Sequence, residues 1–197
     1  SRKMNTPTHM IIGGALWAKQ DRPGSLIAAF AGGLAPDLPM IAMVLFATKV
    51  TGVPAQDVYG ILYFSDGWQR VFAIDHSFLV WGLVLAAGYL LRVFTLTAFA
   101  GSGLAHAAVD FLTHHDDARQ QLWPFTDWKF ASPFSYWDPA YFGSIVAPLE
   151  ALLVFVLTIM LVFRLRRLWE KALTLAISAI FLVPIVVTGG FHGLHGM

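Results

Sequence analysis

The chain contains no cysteine. Disulfides, thiolate metal sites and cysteine nucleophiles are therefore excluded, and any metal must rest on His, Asp and Glu. Charge is scarce as well: only 13% of the 197 residues are Asp, Glu, Lys or Arg, and they sum to +1. A chain so nearly neutral has no polyelectrolyte argument for binding nucleic acid, and none is expected as a partner. No GxGxxG, Walker-type loop or GxSxG occurs, nor any internal repeat or low-complexity tract. The opening stretch SRKMNTPTHM has no apolar run before a cleavage site, so no signal peptide is expected.

What fills the chain instead is hydrocarbon. Hydrophobic residues make up 57% of it, and its mean hydropathy of +0.64 lies outside the range of soluble domains. The expectation is an all-α, polytopic membrane bundle of about five or six helices, forming a single integral membrane domain over residues 1–197. Thr8 to Lys19 reads as a helix too short to cross a core of about 30 Å. Ser25 to Ala47 is long enough, but LAPDLP (Leu34 to Pro39) places two prolines and an aspartate at its centre, so this second helix should be broken there. Further helices are expected from His76 to Leu91, Phe94 to Thr113, Ser144 to Phe163 and Glu170 to Val187. Polar loops are expected over Lys49 to Asp75 and His114 to Gly143. Residues 8–115 would hold the chemistry, 116–143 an aromatic outer loop, and 144–188 two C-terminal membrane helices.

The densest basic cluster, RLRRLWEK (Arg164 to Lys171), orients the chain by the positive-inside rule. The turns holding Lys19, Arg22 and Arg92 then share the cytoplasmic face. The long loops with most of the aspartates face outward, toward the periplasm of a bacterial inner membrane.

With that topology each ionisable residue acquires a depth. Counted from the cytoplasmic ends at about 1.5 Å per residue, His9 lies roughly 15 Å up, Asp37 and His106 roughly 18 Å, His76 roughly 23 Å and Asp110 roughly 24 Å. Taken singly, each has an ordinary explanation: a core histidine with a partner, or a helix break with its own cap. Taken together they point to a site, because an unpaired Asp or His near the bilayer centre costs at least a few kcal/mol and independent residues have no reason to share a layer. His106 and Asp110 are four apart on one helical face, which His114 continues by a turn. These ligand types suit zinc above all, with manganese or iron as alternatives. Asp116 and Asp117 read as solvated or as neighbours of the ligands. Glu150 lies at a similar height, where it would add a fifth helix or pair with Arg119 or Lys129. His192 and His195 fall in a Gly-rich tail, and the Trp, Tyr and Phe of Leu122 to Gly143 suit an interfacial belt or a lid.

In order and spacing, TPTH (Thr6 to His9), GGLAPDLP (Gly32 to Pro39), DHSFLVWG (Asp75 to Gly82), LAHAAVDFLTHH (Leu104 to His115) and LWPF (Leu122 to Phe125) resemble the signature of membrane-bound metal-dependent hydrolases of the YdjM type. The likeness covers roughly the first two thirds of the chain. It implies an all-helical inner-membrane protein with metal ligands at His9, Asp37, His76, His106 and Asp110. A more distant similarity to zinc-dependent phospholipase C implies phosphoester or lipid head-group hydrolysis. Val71 and Phe72 stand where the YdjM-type family commonly has His and Arg, and Asp75 where it has Thr.

Two functional expectations follow. The first is a membrane-embedded hydrolase of esters or phosphoesters, lipid-like ones included, in which the ion activates a water and Asp75 or Asp116 is the general base. Its metal positions are His9, Asp37, His76, His106, Asp110 and His114. The second is a non-catalytic membrane subunit that keeps the polar cluster as a structural site and presents apolar faces to partner membrane proteins. Bilayer lipids surround the chain in either case.

Overall fold

A computed structural model describes residues 6–187. It is all-helical, with no strand among the described residues. Helix α1 spans Thr6–Trp17, α2 Ser25–Leu34 and α3 Leu38–Leu45, which runs on as a π-helical turn over Phe46–Val50. A second group comprises α4 (Ala55–Gly60), a 3-10 turn (Leu62–Phe64), α5 (Asp66–Asp75) and α6 (Phe78–Leu90). Helix α7 is Phe94–Thr113, α8 Gly143–Arg164 and α9 Leu168–Val187.

Three stretches are long and apolar enough to cross a membrane: Asp66–Leu90, Gly143–Arg164 and Leu168–Val187. The pair α2 and α3 makes a fourth if its two halves, bent by 56° at the break, count as one span. This is fewer than the five or six expected. At 12 residues α1 is too short, as its length already implied. Helix α7 has the length, but its glycines, threonines, His106 and Asp110 make it the least lipid-like of the long helices. It packs against α1, α2 and α6, which cover it.

The break at Pro36 to Pro39 occurs where the sequence places it. Asp37 stands as N-cap of α3 with a proline in the first turn, where a missing backbone donor costs nothing. The expected loop from Lys49 to Asp75, by contrast, is mostly helical. Met40, Tyr63 and Phe72 form a small core with Val44, Tyr59 and Trp68 packed on it, and burying those aromatics folds the segment despite its charges. Helices α5 and α6 are nearly collinear, separated at His76 and Ser77. Ser77 Oγ donates to the Trp123 carbonyl (2.7 Å), and the Phe78 amide donates to the Gln121 carbonyl (2.8 Å), so the outer loop pins this interruption.

Close helix contact comes from small residues. A Cβ on Gly33 would lie 2.7 Å from the His9 carbonyl oxygen and 2.8 Å from Met10 Cα, and one on Gly32 would run into the Phe99 carbonyl. Helix α2 therefore touches α1 and α7 backbone to backbone. At the far end of α1, Arg164 of α8 donates to the carbonyls of Gly14 and Ala15 (both 2.8 Å); Gly14 O also accepts from the Ala18 amide (2.9 Å), while Ala15 O is an acceptor the helix end leaves open. A core of Ile11, Leu26, Phe30, Val154, Leu161 and Ile177 joins α1 and α2 to α8 and α9.

The segment after α7 is irregular, as expected, apart from a 3-10 turn at Pro139–Tyr141. It folds back over the end of α7: Ser132 Oγ donates to Leu112 O (2.6 Å), the Tyr136 amide to Thr113 O (3.2 Å) and the Ser132 amide to His114 O (3.0 Å). These bonds take up the carbonyls that a helix C-terminus leaves unpaired. They also set residues 114–136 against the polar layer. His192 and His195 lie outside the described residues.

Candidate metal centre

Five of the residues singled out from sequence meet at one point. His9 comes from α1, Asp37 from the α2–α3 break, His76 from the α5–α6 break, and His106 and Asp110 from successive turns of α7. All five are buried.

Asp110 is the hub. Its Oδ1 lies 3.2 Å from His9 Nε2, and its Oδ2 lies 3.1 Å from His76 Nε2 and 3.4 Å from His106 Nε2. His106 Nε2 is also 3.5 Å from Asp37 Oδ1. The His9 and His106 rings stack with centroids 3.7 Å apart.

The opposite sides of these groups are tied to the protein. His106 Nδ1 donates to the Gly33 carbonyl (2.7 Å), and His76 Nδ1 donates to Asp75 Oδ1 (2.5 Å). With the Nδ1 proton taken in each ring, Nε2 carries the lone pair toward the cluster. Asp37 Oδ2 accepts from Thr6 Oγ1 (2.6 Å), which leaves Oδ1 facing inward.

Despite their short separations, His76 Nε2, His106 Nε2 and Asp110 Oδ1 have no hydrogen-bond partner among the described residues. These atoms converge on a shared space rather than on one another. Donor atoms held 2.0–2.2 Å from a tetrahedral ion lie about 3.3–3.6 Å apart, and the separations here run from 3.1 to 3.5 Å. Two triplets, His9 with His106 and Asp110, and Asp37 with His76 and His106, each keep their ligand atoms within 4.8 Å of one another. The donor set and its unpaired atoms therefore fit a divalent ion. Its identity is not fixed by the geometry, since imidazole and carboxylate suit several metals.

His114 stands beside this group. Helix α7 ends at Thr113 and His114 has extended backbone, so it does not continue the helical face. Its Nδ1 nonetheless donates to the Asp110 carbonyl (3.1 Å) and lies 3.6 Å from Asp110 Oδ1. Its Nε2 faces Asp117 Oδ2 at 3.8 Å.

The two residues expected as general bases are placed differently. Asp75 sits behind the His76 ring, on the side away from the cluster, where it orients the imidazole. Asp116 is exposed, while the neighbouring Asp117 turns inward and is buried.

A cavity of about 250 Å³ opens beside the cluster. Its lining includes His9, Asp37, Asp110 and His114, the polar Arg119 and Tyr136, and the apolar Ile12, Val146, Leu149 and Leu153. Glu150 also borders it. Arg119 is only 3% exposed, and its guanidinium lies 4.6 Å from the Phe72 ring centroid and 5.2 Å from that of Tyr63. Burial opposes its charge, but Tyr63, Asp110 and Asp117 around it more than offset this and raise its pKa. Burial, reinforced by Asp117 and Asp110, holds the Tyr136 phenol well above the usual tyrosine range, so it remains an O–H donor at neutral pH.

Thr6, Arg119 and Tyr136 were not expected at the site, and Asp117 only as solvated or as a neighbour of the ligands. Thr6 had a signal, standing three residues before His9 on one face of α1. Arg119 and Tyr136 had none, because an irregular loop has no periodicity to project.

No protein-family model, curated protein or solved structure matches the chain.

Proposed function

We propose that this protein is a membrane-embedded, metal-dependent hydrolase acting on an ester or phosphoester, placed in a bacterial inner membrane with its cavity toward the outer side. The observation that supports it is the convergence of His9, Asp37, His76, His106 and Asp110 on a shared space beside a cavity. A structural metal site needs no adjoining cavity, whereas a catalytic one keeps a position open.

A divalent ion, zinc foremost, would supply Lewis acidity and lower the pKa of a water to about 7. The protein's own contribution is order. Asp75 and the Gly33 carbonyl hold two imidazoles in one tautomer, and Thr6 fixes the Asp37 carboxylate. His114, anchored through Nδ1, presents Nε2 beside Asp117 as a proton acceptor at the cavity edge. Tyr136 packs on the His114 ring at 5.0 Å between centroids and restricts its motion.

The test is metal analysis of the purified wild type beside His106→Ala, with hydrolysis of a chromogenic phosphoester in detergent micelles. Stoichiometric metal in the wild type, lost in the variant together with hydrolysis, is the expected result. Wild-type protein without stoichiometric metal sinks the reading. Retained metal with no hydrolysis, in protein that co-purifies with a stable larger complex, favours a non-catalytic membrane subunit.

A further inference from the structure

Arg119 is the least expected group near the site. Its Nε and Nη1 have no hydrogen-bond partner among the described residues, although the side chain is almost wholly buried and borders the cavity. Leaving buried donors of a charged group unsatisfied is costly, and a site that does so is normally completed by a ligand.

Another part of the lining has a different chemistry. Val146, Leu149 and Leu153 belong to α8, one of the membrane-crossing helices, and Leu149 and Leu153 are 59% and 43% exposed. The cavity lining thus combines a guanidinium and a phenol with leucines that are partly exposed. Those leucines belong to a helix apolar enough to cross a membrane, so the lining reaches a surface that would face hydrocarbon.

We propose that this cavity binds a phosphate-bearing amphiphile, with Arg119 and Tyr136 receiving the headgroup and the α8 leucines receiving the start of an acyl chain. The inference rests on the hydrolase reading and names the substrate class of the same site. Phosphate is favoured over carboxylate by count. Two unpartnered donor groups of Arg119 plus the Tyr136 hydroxyl exceed what two carboxylate oxygens take while also facing the cluster, whereas a phosphate has oxygens to spare. Asp37, Asp110 and Glu150 also border the cavity, so the anion depends on Arg119 and on the charge held by the cluster. At about 250 Å³ the cavity holds a headgroup and the first methylenes, so the rest of the chain would pass over the exposed Leu149 and Leu153 into the bilayer.

The test is equilibrium binding to the purified, full-length protein in non-ionic detergent. The probes are dodecanoyl lysophosphatidate, monododecanoylglycerol, dodecanoate and inorganic phosphate. The lysophosphatidate should bind tightest of the four. Arg119→Gln should weaken it by about 10- to 100-fold, the equivalent of a lost charge-assisted hydrogen bond or two, with metal content unchanged. Tyr136→Phe should weaken it several-fold and serves if Arg119→Gln does not fold. Leu149→Asp should weaken the lysophosphatidate and spare inorganic phosphate. Equal binding by wild type and Arg119→Gln at intact metal content overturns the proposal. So does inorganic phosphate or dodecanoate binding as tightly as the lysophosphatidate. If the lysophosphatidate binds as expected and no ester is cleaved, the hydrolase reading falls and the subsite stands. If a neutral ester is cleaved equally by wild type and Arg119→Gln and no lysophosphatidate binds, the reverse holds.

Discussion

Gly33→Ala tests whether the metal centre depends on backbone contact between α1 and α2. The added methyl would sit 2.7 Å from His9 O, 2.8 Å from Met10 Cα and 2.9 Å from His9 C, all backbone atoms that no rotamer change can move. Restoring ordinary contact near 3.4 Å requires α1 to withdraw by about 0.7 Å. His9 is the residue pushed, and the Gly33 carbonyl is the acceptor that fixes His106. Metal ligands tolerate displacements of about 0.2 Å, so the strain falls on two ligands at once.

Overpacking of this kind costs about 1–3 kcal/mol, and disturbing the support of a ligand weakens metal affinity by about 10- to 100-fold. The assay is chelator competition for the bound metal alongside thermal unfolding in detergent. Gly82→Ala is the control: it lies in α6, and nothing stands within 4 Å of its added Cβ. Replacing that helical glycine should leave metal affinity unchanged and add about 0.5–1 kcal/mol of stability. If Gly33→Ala binds metal as tightly as wild type, the idea that the α1–α2 contact sets the ligand geometry is wrong.

Three further outcomes are expected. Asp75→Asn removes the carboxylate behind His76 and should weaken metal binding by about 10- to 100-fold without abolishing it, while Asp110→Asn, at the hub, should abolish it; equal effects in the competition assay would mean that Asp75 is itself a ligand. Arg164→Leu strands the carbonyl of Ala15, while Gly14 O keeps the Ala18 amide, and should cost about 1–3 kcal/mol in denaturant unfolding, with the metal stoichiometry retained; no loss would mean that water satisfies that carbonyl. Chelation should lower the unfolding temperature, because it removes an ion that binds only the folded chain and leaves two carboxylates and three imidazoles buried without it, and re-addition of the ion should restore it.

The parts of this fold that were legible in the sequence share a physical origin. An ionisable group in a membrane helix is expensive wherever it is not paired, so His9, Asp37, His76, His106 and Asp110 announce their common layer through depth alone. Pro36 and Pro39 announce the break through their missing donors. The segment 49–75 hid its helices because its apolar residues are aromatics spaced among charges. Tyr63, Trp68 and Phe72 bury themselves only against Met40 and Val44, a tertiary contact that no local pattern predicts.

The outer segment shows the same limit for function. Asp116 and Asp117 are adjacent and chemically identical, and the sequence reading put forward Asp116, not Asp117, as a general base. What separates them is the bonding of Ser132 and Tyr136 to the end of α7, which turns Asp117 and Arg119 inward and leaves Asp116 exposed. Position 72 makes the point from the other side. A phenylalanine there, where the resembled family has arginine, looks like the loss of an anion-binding group. Arg119 nevertheless arrives from a segment 47 positions later to lie 4.6 Å from that phenylalanine's ring. A guanidinium beside the cluster is thus supplied by tertiary structure rather than by the local motif, and a motif comparison alone underestimates what this site can bind.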